Sequence, residues 1–530
     1  MKADILWYES RFPERLALCE RYISSMLDAD RDKLPFFSVQ MLEDGRLYGR
    51  HVDIYDIPHV TGRACDIIYS IEAATGTKID PAVEKTYVDY LFRARDPEDD
   101  LPVYFTKDGD GPYVEFHNLR EYLEGLVWLI RLRKNERALD AARALLDTVE
   151  SLADPRTRRY DLARLKTMPP EKAKKYATLN YPLPITQGRL VGPLLLMHKA
   201  TGDLKALRLA DWFAHSTMES CFLPGGSILD AAGTHVHSIT STLSGVLAFA
   251  LHTGDIALYR RVKNVYENGL RDVYSSYGYC NETMWTERMR GESNQVGDLI
   301  QVQLMFAGHE EPALWYSRAE RFMRGGILPA QVLTTDGYTA PTPEPACDAE
   351  RDMQSRAIGG FGFPDPVSHI LTSEHNSLNT TDITQGAVQG ICAFLSHIVT
   401  CRDGRVRLNL YFDADTDFAK VESRLPVEGR ARVTVRRETL FSCRIPENCR
   451  EGSFAIRING QAAPFQVANS YAEAGMVSAG DVIDISFEPL RLEKTEYNCH
   501  RPYDETWFGE QIIKISPEQG TYPLFGDFPA

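Results

Sequence analysis

From its N-terminus to about residue 400, the chain repeats apolar positions at three- and four-residue spacing. That period predicts amphipathic helices over 14–27, 61–75, 118–133, 136–152, 190–201, 206–218, 241–252, 256–274 and 298–307. Short glycine turns punctuate them, as in Ala74-Thr75-Gly76-Thr77, Ala200-Thr201-Gly202-Asp203 and His252-Thr253-Gly254-Asp255. The order helix, Thr-Gly-Asp, helix makes a loose repeat of antiparallel helix pairs. About five to seven such pairs of roughly 40 residues fit the length. A closed double ring, an (α/α)6 barrel, is the expected arrangement, with an open helical solenoid as the other solution. Helical hairpins alone do not separate the two.

The period changes near residue 403. Asp403-Gly404 reads as a hairpin turn, and the runs 405–412, 431–435, 440–445, 454–458 and 481–487 alternate apolar and polar residues between Gly, Asn and Asp turns. Short, closely spaced strands of this kind predict an antiparallel β-sandwich. The reading is a mainly α chain with a β domain: a barrel over 1–400, a sandwich over 401–490, and a tail over 491–530 packed back on the body.

Two stretches stand out as polar clusters running straight into apolar-periodic segments, the sequence signature of a helix N-terminus. One is Gly291-Glu292-Ser293-Asn294-Gln295-Val296-Gly297-Asp298; the other is Asn379-Thr380-Thr381-Asp382-Ile383-Thr384-Gln385-Gly386. Polar and aromatic clusters also mark helix starts at His51–Asp56, with Tyr55, and from His117-Asn118 through Glu121, as expected around the mouth of a helical ring. Tyr55, Tyr113, Phe116 and Trp285 would add flat aromatic faces to such a mouth, although aromatics in helices more often fill cores.

Composition narrows the function. The 530 residues carry a formal net charge of -15, which argues against nucleic acid or an anionic membrane as the main partner. Ten cysteines are scattered without a CxxC pair, which suits buried free thiols in a reducing compartment. No leader-like N-terminus occurs, and no run approaches the roughly eighteen apolar residues of a membrane span, so a cytoplasmic location is expected. There is no phosphate loop after a strand, no HExxH and no Gly-x-Ser-x-Gly elbow, so nucleotide, zincin and serine-hydrolase chemistries fall.

The order of these motifs resembles glycoside hydrolase family 127, the β-L-arabinofuranosidase-like proteins, over most of the chain and most closely from about 230 to 490. The resemblance rests on Glu292-Ser293-Asn294 with the following Val296–Gln301, on Gly359-Gly360-Phe361-Gly362-Phe363-Pro364-Asp365-Pro366, and on Asp403 through Gly429. It implies a zinc site of one glutamate and three thiolates, one of them the nucleophile. Glu292 is kept, while Asn294, Asp382 and Ile383 stand where the thiolates would be. A thiolate zinc site cannot form from that set.

What the resemblance leaves is carboxylate chemistry on a sugar. Asp382 takes the nucleophile's position and is held ionised by a helix N-terminus, or is only that helix's N-cap. Glu287, in the segment Tyr279–Glu287 with Trp285 beside it, is the first candidate for the acid, and Glu282 the second. Glu292 either supports the nucleophile, caps its helix, or joins Asn294 and Asp382 in a hard-cation site suited to Ca²⁺ or Mg²⁺; no cofactor is otherwise called for. His235 lines up with a sugar-contacting histidine, or is a satisfied structural one. The expectation is a glycosidase that cleaves a terminal sugar from an oligosaccharide, with substrate-binding groups among Tyr55, Asp56, His117, His235, Trp285 and Asn294. A non-catalytic carbohydrate-binding relative and a lyase acting on a uronic acid are the competing classes. The sandwich would serve as a packing or homo-oligomer surface.

Overall fold

The computed structural model describes residues 5–9, 11–51, 56–106, 108–284, 290–336, 339–341, 344–364, 377–498, 501–516 and 528. The recurring Thr-Gly-Asp turn works as two caps in succession. Gly202 and Gly254 close one helix with φ of 75° each, a left-handed conformation that costs a glycine little. The next residue then opens the following helix: Asp203 accepts from Lys205 N and Ala206 N, and Asp255 from Leu258 N. A helical hairpin follows each time.

These hairpins close into a ring. The helices Asp56–Thr75, Leu119–Arg133, Val191–Thr201, Val236–Thr253, Ser293–Ala307 and Thr381–Ile398 each pack on the next, and the last packs back on the first. Outside them lie Phe12–Ser25, Pro81–Arg93, Glu136–Leu152, Leu204–Cys221, Ile256–Asn264 and Pro312–Phe322. The first outer helix, Phe12–Ser25, packs on both Asp56–Thr75 and Thr381–Ile398 and so spans the closure. The structure is an (α/α)6 barrel, not an open solenoid. Because an outer helix intervenes between successive inner ones, the six inner helices run parallel, with their N-termini at one end.

Some elements differ from the sequence reading. The helix expected over 256–274 ends at Asn264 and widens into a single π turn, Val265–Gly269. A Cβ on Gly269 would lie 2.3 Å from the Gly226 carbonyl oxygen, so the two backbones touch there. Helices Pro81–Arg93 and Pro312–Phe322 escape the periodic reading, since each starts on a proline and presents a broken apolar stripe.

The chain then builds two sheets. One has the order 399–402, 405–408, 439–444, 471–477, 466–468, and the other 414–415, 419–423, 430–435, 482–486, 455–458, 461–463. Neighbours are antiparallel except for Arg405–Leu408 beside Thr439–Arg444, which run parallel. Alternation works as predicted: Ala419 and Val421 are buried, while Lys420 and Glu422 face water. Barrel and sandwich share one core, in which Phe12 and Phe394 each lie 5.0–5.8 Å from one another or from Phe412.

Within the segment read as a tail packed on the body lies a three-stranded antiparallel sheet, Arg491–Asn498, Arg501–Phe508 and Gln511–Ser516. Its Tyr503, Trp507, Ile512 and Ile515 pack on Tyr277 and Tyr279 of the barrel. Glu496 also accepts hydrogen bonds from Ser276 N at 2.9 Å and Ser276 Oγ at 2.6 Å. Weak apolar periodicity hid these strands. Among the described residues no helix is long and apolar enough to cross a membrane.

The two polar helix starts meet because their helices touch backbone to backbone. A Cβ on Gly297 would lie 2.0 Å from Gly386 O, and one on Gly386 would lie 2.6 Å from Asn294 Cα. Only glycine permits that approach. Gly386→Ala should therefore destabilise the protein by at least about 1–3 kcal/mol, the range for overpacking a core. Chemical denaturation of the variant against wild type checks this, and a loss within error would mean that the helices slide apart freely.

Candidate active site

The first turns of the six inner helices ring one end of the barrel. In order they place His59, then His117 with Asn118, Arg189, His235 with His237, Glu292 with Asn294, and Thr380 with Asp382. Three imidazoles follow one another around the wall: His59 and His117 stack with centroids 5.5 Å apart, and His117 lies 6.4 Å from His235. Asn118 Oδ1 lies 2.8 Å from His59 Nδ1 and 3.2 Å from His117 Nδ1. His235 Nδ1 meets Ser238 Oγ at 2.8 Å, which turns its Nε2 towards Glu292 Oε2, 3.9 Å away.

Beneath this mouth lies a buried ionic hub. Glu121 Oε1 is met by Arg189 Nη2 at 2.5 Å, Arg63 Nη2 at 2.9 Å and Arg120 Nη1 at 3.2 Å. Burial pushes the Glu121 carboxyl up, and the three guanidinium groups overcome it, holding it well below the usual carboxylate range. Gln385 ties the hub to the Asp382 helix. Its Oε1 accepts from Arg63 at 3.2 Å, and its Nε2 donates to Asp66 at 2.9 Å and Glu124 at 3.0 Å.

Asp382 stands one turn above Gln385 and is partly accessible. It is not the N-cap. Thr380 fills that role, its hydroxyl accepting from Ile383 N, while Asp382 Oδ1 accepts from Ile383 N at 2.9 Å and from the Thr380 hydroxyl. Burial works against the carboxylate, but Arg63, His59 and these two donors outweigh it and hold Asp382 below its ordinary value.

Glu292 has the opposite fate. It occupies the N-cap position of Ser293–Ala307 without capping it; instead it accepts from Gln295 Nε2 at 3.2 Å. Burial, together with the charges of Glu282 and Asp382, pushes its carboxyl up to about 8. Two carboxyl groups from facing helix starts are thus held apart at neutral pH, one ionised and one protonated. Burial, followed by the field of nearby arginines, brings His59 and His235 down to about 4, so both are neutral imidazoles with a donor and an acceptor each.

Of the other residues expected at the site, His117 and His235 reach the mouth. Asn294 does not: it is fully buried, its Nδ2 lies 3.1 Å from His237 Nδ1, and its Oδ1 accepts from Gln295 N. Glu282 sits beside the mouth, paired with Arg290 at 3.3 Å, and its backbone anchors Val236 N. Phe116 is fully buried against Tyr160 and Tyr176, away from any ligand. Glu287, Trp285 and Tyr55 lie outside the described residues, as does the side chain of Asp56.

Ile383, buried and apolar, and Asn294, turned towards His237, do not fit a thiolate zinc centre. Nor do the described residues include a group of three or more His, Cys, Asp or Glu arranged to hold a metal ion. Arg63, Arg189 and His59 were not singled out in the sequence, and Glu121 and Gln385 were named only as members of polar helix starts. Their signal was present as charged or amide residues at positions where the helical period faces the barrel axis, such as His59 and Arg63 four apart.

The Glu292 proton has a thermodynamic consequence. Between the ordinary carboxyl value of about 4.3 and about 8, the folded protein holds a proton there that the unfolded chain has released. This group's contribution to stability therefore falls as pH rises through that window. Glu292→Gln removes the titration. The stability of wild type minus that of the variant should decline steadily from about pH 5 to about pH 8 in urea denaturation. A pH-independent difference would mean that Glu292 keeps its ordinary value.

No family model matches the chain, and no curated protein matches it. Solved structures do. A family 127 β-L-arabinofuranosidase from Geobacillus stearothermophilus T6 superposes with a TM-score of 0.57 at 16% identity, covering 95% of this chain and 81% of that one. Another family 127 β-arabinofuranosidase gives 0.61 at 15% identity, over 96% and 81%. A D-mannose isomerase gives 0.52 at 11% identity, over 74% of this chain and 100% of its own. At such identities the likeness speaks for the fold alone, and the chain has the fold of glycoside hydrolase family 127, with an Asp and a Glu at the two helix starts that meet at its mouth.

Proposed function

We propose that the barrel mouth is a glycosidase active site in which Asp382 is the nucleophile or base and Glu292 the general acid. The observation that carries this reading is the arrival of two carboxyl groups at one cleft from helix starts in backbone contact. Burial and its neighbours push Glu292 up, while Asp382 is held down against its burial. Asp382 attacks the anomeric carbon or takes a proton from the attacking water. The Glu292 O–H gives its proton to the departing glycosidic oxygen. Glu282, expected as an acid from the sequence, here raises the Glu292 carboxyl by its charge and takes its own ion pair with Arg290. The neutral imidazoles of His59, His117 and His235 suit sugar hydroxyls, which donate and accept in turn. β-L-Arabinofuranosides head the substrate panel, because the solved proteins of similar fold carry that name.

Asp382→Asn should lower kcat by more than about 10³-fold while leaving the fold intact by circular dichroism. Glu292→Gln should cost about 10²–10⁴-fold on alkyl glycosides and far less on dinitrophenyl glycosides, whose leaving group needs no acid. Wild-type kcat should fall above about pH 8 as Glu292 loses its proton. Unchanged turnover in Asp382→Asn on an otherwise active panel would overturn the assignment.

A second reading, proton transfer at a sugar carbon as in a lyase or an isomerase, draws on the row of imidazoles above three arginines. An unsaturated product absorbing in the ultraviolet, or a ketose formed from an aldose without water incorporation, would select it.

A further inference from the structure

The mouth continues outward over an aromatic patch that the catalytic reading does not use. Glu115 begins it: its Oε1 accepts from His117 N at 3.3 Å, which ties its carboxyl to the backbone that carries one of the imidazoles of the mouth. On one side Glu115 extends the hairpin strand Tyr113–Val114, where Tyr104 and Tyr113 are cross-strand partners with centroids 5.6 Å apart. On the other side Thr178 clamps the same segment, donating to Val114 O at 2.8 Å and accepting from Phe116 N at 3.1 Å.

Thr178 belongs to the short 3-10 turn Ala177–Asn180, and its carbonyl accepts from Tyr181 N at 3.1 Å, which presents Tyr181 at the end of that turn. The next residue, Pro182, fits against Gly233; a Cβ there would lie 2.8 Å from Pro182 Cγ. Gly233 is two residues before His235. Tyr181 is thus fastened between the His117 and His235 sides of the mouth, yet it is 48% exposed, and Tyr104 is half-buried beside it. Through Thr178, Tyr181 is tied to the 114–116 segment that holds Glu115, and through the Tyr113 pairing Tyr104 flanks the same segment. A large exposed aromatic ring beside a buried carboxyl group, at the rim of a polar cleft, offers a flat apolar face and an acceptor together.

We propose that Tyr181, Tyr104 and Glu115 form an outer sugar subsite, which takes the residue on the leaving-group side of the cleaved bond. The ligand class is a neutral pyranose or furanose ring, stacked on Tyr181 through its C–H face and hydrogen-bonded through a hydroxyl to Glu115. This inference rests on the glycosidase reading of the mouth. It makes the enzyme selective for oligosaccharides over simple glycosides.

The test measures binding without turnover. On the Asp382→Asn background, methyl β-L-arabinofuranoside and a β-L-arabinofuranosyl disaccharide are titrated by calorimetry, with and without Tyr181→Ala and Tyr181→Trp. Tyr181→Ala should weaken the disaccharide about three- to tenfold, as expected for one lost aromatic contact, and leave the methyl glycoside within twofold. Tyr181→Trp, which keeps a stacking face, should restore the disaccharide. Equal effects on both sugars, no effect on either, or binding of neither sugar by the Asp382→Asn protein itself would overturn the subsite. The catalytic assignment fails separately, by retained turnover in the Asp382→Asn protein.

Discussion

One carboxylate group, Glu121, holds the centre of this molecule. It accepts guanidinium groups from three consecutive members of the inner ring, Arg63, Arg120 and Arg189, deep below the mouth. Arg120 is shared with Glu124 at 3.4 Å, while Arg63 also donates to Gln385 on the Asp382 helix. Arg63 weighs most among the charges that keep Asp382 ionised. Removing one partner of such a buried cluster costs several kcal/mol, because the others are left uncompensated. The hub therefore does two things at once: it locks the register of neighbouring helices and it sets the charge state of the mouth.

Parallel inner helices add a second constraint. Six N-termini converge on the mouth, each with unsatisfied N–H groups and a partial positive charge. A surface of this kind favours acceptors, which is why Asn, Thr, Asp, Glu and His gather there rather than at the other end. Glu292 shows that the ring field is not uniform. It stands at a helix N-terminus, yet two neighbouring carboxylates and its own burial outweigh the dipole, and it keeps its proton. Glu292 at the N-cap position and Asp382 inside the first turn of its helix thus end in opposite charge states.

How much of this could be read along the chain follows from what each feature depends on. The helical hairpins were legible because glycine and aspartate at 202–203 and 254–255 act locally, through φ and through capping. The meeting of the two helix starts was legible as a pair of polar clusters. Ring closure was expected, but the hairpins alone did not separate it from an open solenoid, since it rests on contacts between residues more than 300 positions apart. Arg63 and Arg189 were missed for a related reason: an arginine on a helix is ordinarily a surface residue, and only the closed ring turns these inward. Asn294 illustrates the converse, because its polar type suggested ligand contact while the glycine crossing at Gly386 pressed it into the interior. The strands of 491–516 were obscured by charged and aromatic residues that pair with the barrel rather than with a core of their own.

The closure of the ring also bears on how the molecule comes into being. Helix Phe12–Ser25 packs against Thr381–Ile398, and strand Ser38–Met41 pairs with Ser377–Thr380, the segment that leads into Asp382. The seam lies between opposite ends of the helical portion. During synthesis, the early helices stand with an uncovered edge until the final one is available. Contacts of such sequence separation form slowly and late. Thr381–Ile398, which carries Asp382, is the helix that closes this seam while also packing on Ser293–Ala307, so the groups at the mouth come together only once the whole circle has been drawn shut.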